Sequence, residues 1–192
     1  RVHEDEAIPF SFGIPGTHNI ELYDALALSD KVRPVLVTDE QSASFMADGL
    51  WRASGRLGCA NLVPGAGLTH AMSGIAEAYL DNVPMLVLGC GIRRDTPHAF
   101  QLHDVDQMAL AAPVTKAQFR PQNGQELYQM LRTACTIARS GVPGPVFVEV
   151  PANLYLFKSD VDFSSSPAKP SVPAADDIDQ AVAVLRRAKR PL

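Results

Sequence analysis

Six short apolar runs, each separated from the next by a stretch with helical spacing, constrain this chain more than any other feature. The predicted strands are 9–14, 34–38, 58–63, 84–89, 114–119 and 145–150. Helical patterns fill 18–29, 40–54, 68–81, 104–111 and 124–139. In the last of these Leu127, Met130, Leu131, Ala134, Ile137 and Ala138 recur at intervals of three and four, until Gly141 and Pro143 stop the helix. A strand buried on both faces reads as an unbroken apolar run, and the helices that cover it also connect parallel neighbours. The expected fold is therefore α/β, a wound parallel sheet of about six strands with helices on both faces.

Charge and length narrow the class further. The chain has 192 residues, 17 basic and 21 acidic, for a net charge of −4, and neither sign clusters as a nucleic-acid arm or a basic membrane face would require. No apolar run reaches the ~18 residues of a membrane helix, and no signal peptide opens the chain. Cys59, Cys90 and Cys135 are widely spaced in apolar surroundings and read as core fillers in a reducing, cytoplasmic setting. The opening RVHEDEAIPF reads as the tail of a truncated first helix running into a strand. After Pro151 the composition changes: residues 163–177 are rich in Ser, Pro and Ala, and a helix is expected from Asp177 or Asp179 with Ala181, Val182, Val184 and Leu185 facing a core. The expected organisation is a first domain over 1–158, a linker over 159–176 and the start of a further, truncated domain over 177–192.

Chemistry could sit in the loops that follow strands. At Thr38-Asp39-Glu40 a carboxylate stands where a strand's carboxyl end meets a helix's amino end, the position of ligand crevices in wound sheets. It is equally an ordinary first-turn charge, worth about 0.3–1 kcal/mol through the helix dipole. In the helix that follows, Phe45, Met46, Gly49 and Leu50 can share a face. The first loop, 12–20, offers Gly13 and Gly16, with Thr17 or Asn19 as a helix cap. The second, 63–82, offers Gly65 and Gly67 before a helix whose amino end points the same way, without the spacing of a phosphate or dinucleotide loop. The third, 99–108, carries Phe100 and Gln101. His3, His18, His70, His98 and His103 lack a metal-ligand spacing, so no metal site is assigned. Ser42 and Ser44 sit in no nucleophile elbow.

Taken in order, FGIPG, TDEQSASFMADG, PGAGLTHAMSGIAEAYLDNVPML, AFQ…DQMA…PVTK and GVPGPVFVEVP resemble the pyrimidine-binding domain of thiamin-diphosphate-dependent enzymes, above all the acetolactate synthase large-subunit group, from Phe10 to Pro151. RRAKRPL resembles the entry to that family's central domain, in line with the third segment above. The resemblance implies that Glu40 contacts a pyrimidine nitrogen of the cofactor and promotes ylid formation, the proton-handling step that carboxyl groups perform well. It implies that Gly16 approaches the thiazolium side. It places Ala66 and His70 at the pyrimidine side, where the family usually has Pro and Asn, and assigns Gln101, with Phe100, to substrate contact. It implies a homodimer or dimer of dimers acting on a small 2-keto acid, with the diphosphate and Mg held by a Gly-Asp-Gly…Asn motif that this chain lacks, so the fragment alone should be inactive. FAD is compatible with the family but leaves no signature in these residues. The alternatives are a 2-hydroxyacyl-CoA lyase or oxalyl-CoA-decarboxylase-like enzyme and, from another class, a non-catalytic dimerisation or regulatory module.

Overall fold

The computed structural model describes residues 1–96, 102–164 and 173–190. Its elements run α1 (Val2–Asp5), β1 (Phe10–Gly13), α2 (Ile20–Ala27), β2 (Arg33–Leu36), α3 (Glu40–Ser54), β3 (Gly58–Leu62), α4 (Ala66–Leu80), β4 (Met85–Gly91), α5 (Gln107–Ala111), β5 (Gln118–Phe119), α6 (Gly124–Arg139), β6 (Pro145–Pro151), α7 (Asn153–Leu156) and α8 (Ala175–Arg187). The six strands form one parallel sheet in the order β2-β1-β3-β4-β6-β5. Every residue of β3, β4 and β6 is buried, as strands covered on both faces must be.

Successive side chains of a strand point to opposite faces, and each face has its own core. Met85 and Val87 of β4 pack with Ala43 and Ala47 of α3 and Leu68, Ala71, Ile75 and Ala78 of α4. Leu86 and Leu88 point the other way, against Val2 of α1 and Leu131, Ala134, Cys135 and Ala138 of α6. All three cysteines are free and buried, and burial pushes the Cys59 and Cys90 thiols up to about 12.

The helix expected over 124–139 has those bounds, and α3 begins at Glu40 as expected. Four particulars differ. The strand expected over 114–119 is reduced to Gln118–Phe119: Val114 ends a 3-10 turn, Ala112–Val114, with Pro113 near its start, and Lys116 and Ala117 keep single backbone bonds to Pro145 and Phe147. The face of α3 that carries Phe45, Met46 and Gly49 is turned outward; the helix buries its small side Ala43, Ser44, Ala47 and Asp48 instead, which lets it lie close to the sheet and to α4. The last helix starts at Ala175 rather than Asp177 or Asp179, leaving Asp176 and Asp177 in its first turn, where the dipole favours acids. Its Ala181, Val182, Val184 and Leu185 are exposed among the described residues. Upstream, the segment leading to the Ser/Pro-rich stretch is fixed to α6: Gln125 exchanges two hydrogen bonds with Asp162, and Phe163 stands edge-on to Tyr128 with ring centroids 5.0 Å apart.

Candidate functional site

The strand order reverses between β1 and β3: from β1 the chain goes to β2 on one side, then returns to place β3 on the other. Loops leaving the carboxyl ends of two such strands part in opposite directions and open a crevice, where wound sheets take their ligands. The loop after β1, the start of α3 after β2 and the start of α4 after β3 surround this crevice.

Asp39, extended at φ −154° and ψ 156°, caps α3. Its carboxylate accepts the Ser42 backbone N–H at 2.6 Å and the Ser42 hydroxyl at 3.0 Å, and these bonds hold its pKa below the usual carboxylate range. Glu40 follows as the first helical residue with only 14% of its side chain exposed. Its Oε2 lies 3.2 Å from Nδ1 of His70 on α4, whereas Oε1 has no hydrogen-bond partner among the described residues. The first turn of α4 crowds this carboxylate. A Cβ on Gly67 would stand 2.7 Å from Val63 Cγ2 and 3.4 Å from Glu40 Oε1, and one on Gly16 would stand 2.8 Å from Val63 Cγ1. Val63 is thus wedged between the first loop and α4, and only glycines fit on either side of it.

Two polar side chains hold these loops: Gln107, which the sequence did not single out, and Asn19, expected as a helix cap, which stands at the N-cap of α2 but turns its side chain to the first loop and β3. Buried Gln107 accepts the Gly65 N–H at 3.1 Å and donates to the Cys90 carbonyl at 2.9 Å, tying the start of α4 to the end of β4. Asn19 accepts the Gly16 N–H at 2.7 Å, while its own N–H donates to the Gly16 carbonyl at 3.0 Å and its amide donates to Ile14 and to Asn61 of β3. A glutamine interrupting an apolar stretch just after an aspartate was the available signal for Gln107. For Asn61, in the middle of a strand, the only signal was polarity in an otherwise apolar run.

Of the residues expected at the site, Glu40 and His70 touch, and Ala66 opens α4 beside them. Gly16 borders the same crevice through Val63, but both of its backbone polar groups are engaged by Asn19, so it offers closeness and not a free amide. Phe100 and Gln101 lie outside the described residues, as does His98. His103 stands 6.0 Å from His18, ring to ring and nearly perpendicular. Burial, with His103 beside it, holds the His18 pKa below its ordinary value. An open hollow of about 420 Å³, lined by Gly65, Ala66, Thr69, Leu102 and His103 among others, adjoins the amino end of α4. A larger cleft of about 570 Å³ lies at the opposite ends of the strands, around Pro9, Lys31, Arg33 and Arg56. Ligand crevices of wound sheets open at the carboxyl ends, so the smaller hollow belongs to the candidate site.

The donor set fits the pyrimidine end of thiamin diphosphate. A flat heteroaromatic nitrogen needs one in-plane partner and a close, smooth wall, which Glu40 Oε1 and the Gly67 face of α4 provide. Among the described residues, no group of three His, Cys, Asp or Glu side chains is placed to hold a metal ion.

Comparison with known proteins is consistent with this geometry. A family model described as thiamine pyrophosphate enzyme, N-terminal TPP binding domain, matches residues 1–110. The acetolactate synthase large subunit of Haemophilus influenzae is 34% identical over 147 residues, covering 77% of this chain and 26% of the relative. The isozyme 3 large subunit of Escherichia coli K12 is 36% identical over 150 residues, 78% and 26% respectively. The large subunit of Corynebacterium glutamicum is 35% identical over 188 residues, 94% and 30% respectively. The chain thus spans between a quarter and a third of the length of these curated relatives. With more than half of its residues inside the family match, the chain belongs to the thiamine pyrophosphate enzymes and carries their N-terminal TPP-binding domain.

Proposed function

We propose that this chain forms the pyrimidine-facing half of the active site of a thiamin-diphosphate-dependent carboligase or decarboxylase acting on small 2-keto acids, in the manner of acetolactate synthase. The observation that carries this reading is the Glu40 carboxylate at the β1/β3 crevice, with Oε2 held by His70 and Oε1 open. Relatives named as acetolactate synthase large subunits at 34–36% identity support the choice of reaction class.

Thiamin diphosphate, when bound, supplies a thiazolium carbon that loses its proton and adds to a 2-keto carbonyl. The residues of this chain bind and orient its other ring. Glu40 holds or releases a proton at Oε1, beside the pyrimidine nitrogen; the start of α4 at Ala66 and Gly67 forms the wall against which the ring lies. Gln107 and Asn19 keep the two flanking loops at fixed separation, and a displacement of about 1 Å there would cost catalysis up to ~100-fold. We assign the diphosphate and its Mg to a different domain of the enzyme, since this chain supplies no convergent ligand set among the described residues. That arrangement needs a second surface over the crevice, and we assign it to another subunit, facing the exposed side of α3 and α4. The three unpaired, buried thiols suit a cytoplasmic enzyme. Among the described residues, no helix is long and apolar enough to cross a membrane.

The test is Glu40→Gln in the full-length enzyme, with hydrogen–deuterium exchange of the thiazolium proton followed by quenched-flow NMR. Loss of a direct acid–base partner should slow the exchange by about 10²–10⁴-fold, with circular dichroism unchanged. An unaltered exchange rate would remove Glu40 from catalysis.

A further inference from the structure

We propose that His70 is the outer half of a two-residue proton relay, carrying protons between the Glu40 carboxyl and the space outside the crevice. This rests on the reading of Glu40 as the residue that faces the cofactor. Three observations on the pair point to it. Nδ1 of His70 lies 3.2 Å from Glu40 Oε2, within reach for direct transfer. The carboxylate is 14% exposed while the imidazole is 54% exposed, so the histidine is the open end of the pair. Glu40 uses one oxygen on each side: Oε2 toward the histidine, and Oε1, unpartnered among the described residues, toward the first turn of α4.

Imidazole suits this place because its two nitrogens sit at opposite edges of the ring, one able to accept while the other donates. An amide at position 70 could hold Oε2 in place without passing a proton on. Asp39, the cap of α3, lies close enough for His70 to act on its carboxylate electrostatically, but its hydrogen bonds go to Ser42, and Glu40 alone bonds the ring. On α4 itself the adjacent Thr69 hydroxyl donates to the Ala66 carbonyl at 3.1 Å, so it too leaves His70 to Glu40.

The step balances with no further reactant than water. Rotation about the Glu40 Cγ–Cδ bond exchanges the two carboxyl oxygens and brings the proton to the His70 side, where it passes to Nδ1: the O–H bond breaks, the N–H bond forms, and an imidazolium faces a carboxylate. The Nε2–H bond then breaks and water takes that proton, returning a neutral ring. The reverse order loads the carboxyl. One proton enters or leaves the crevice in each passage and no electrons are exchanged with an outside group.

Two measurements test the relay. In full-length enzyme without cofactor, labelled with ¹⁵N-histidine, the Nδ1 resonance that disappears in His70→Asn should change shift in Glu40→Gln; identical shifts in wild type and Glu40→Gln would overturn the pairing. In the cofactor-loaded enzyme, His70→Ala should slow thiazolium proton exchange by about 10-fold, less than the ~10²–10⁴-fold expected of a direct acid–base group. Added imidazole should restore exchange in His70→Ala and not in Glu40→Gln. A full rate in His70→Ala, or a slowed rate that imidazole does not restore, overturns the relay. Either result leaves the separate Glu40→Gln experiment to decide whether Glu40 serves the cofactor at all.

Discussion

Asp39 and Glu40 are adjacent carboxylates at one helix start, and they do different work. Asp39 satisfies a first-turn donor through Ser42, and so leaves Glu40 free to turn into the crevice. At the same scale His3 has a consequence for stability. It is 6% exposed, its Nε2 has no partner among the described residues, and burial lowers its pKa from 6.5 to about 4. Below pH 6.5 the unfolded chain takes up a proton that the folded chain refuses until about pH 4, so stability is full above that window and falls as pH drops through it. Each unit of pH costs about 1.4 kcal/mol, about 3 kcal/mol over the whole window. Urea denaturation at pH 7.5, 6 and 5 should show this loss in wild type and a smaller one in His3→Phe, which has nothing to titrate there; equal slopes in the two would rule the histidine out. The helix start at Glu40 was legible in the sequence from the end of an apolar run and two acids. Which acid caps and which faces the crevice was not, because either side chain can do either task until the backbone angles of Asp39 decide.

Among the elements, β3, β4 and β6 were legible because burial on both faces demands unbroken apolar runs. The last of them contains an exception with a purpose. Glu149 in β6 is 1% exposed and held by two arginines: Arg120 donates from Nε to Oε1 at 3.1 Å and from Nη2 to Oε2 at 2.9 Å, and Arg94 donates to Oε1 at 3.2 Å. The network joins the end of β5 and the segment after β4 to the middle strand between them. A strand reading sees only a polar residue in an apolar run, since its partners lie 29 and 55 residues away. The same distance hid the shortening of β5. Lys116, next to it, is turned to the end of α6, where its ammonium donates to the Ile137 and Ser140 carbonyls at 2.5 and 2.7 Å. Burial of the glutamate is nearly complete, whereas Arg94 and Arg120 are 39% and 28% exposed, so the two sides of the network differ in what they lose. Glu149→Gln leaves arginines that can turn to water and should cost about 1–3 kcal/mol. Arg94→Met with Arg120→Met leaves a buried, unpaired carboxylate and should cost more, about 3–5 kcal/mol. Urea midpoints of the three proteins check the order; a glutamate variant less stable than the double arginine variant would contradict it.

On the scale of the molecule, the strand order places every element of the candidate site on one edge. The sequence carried the alternation of strands and helices, and hence the parallel sheet, but not the order, which is set by packing between residues far apart in the chain. Nor did it reveal which way α3 faces. Spacing put Phe45 and Met46 on one face without saying which way it points; they are 43% and 42% exposed, because small Ala43, Ser44, Ala47 and Asp48 occupy the inner side. They lie on the helix that begins with Glu40, and on α4 the outward residues include Thr69 and His70 of the site itself. On the proposed two-subunit reading, this apolar outward face of the helix that begins with Glu40 is the surface that the second subunit covers. Burying a large apolar side chain contributes about 1.5–3 kcal/mol, so Phe45→Asp with Met46→Asp should weaken self-association of the full-length enzyme by more than ~100-fold. Sedimentation equilibrium over a range of protein concentration reads that constant, and thermal denaturation of the dissociated variant reports whether each subunit is still folded. If, as proposed, a second subunit completes the site, the expected result is a folded, dissociated variant without turnover. A variant that stays associated at every concentration would show that the outward face of α3 is simply solvated, and would separate the oligomer from the site.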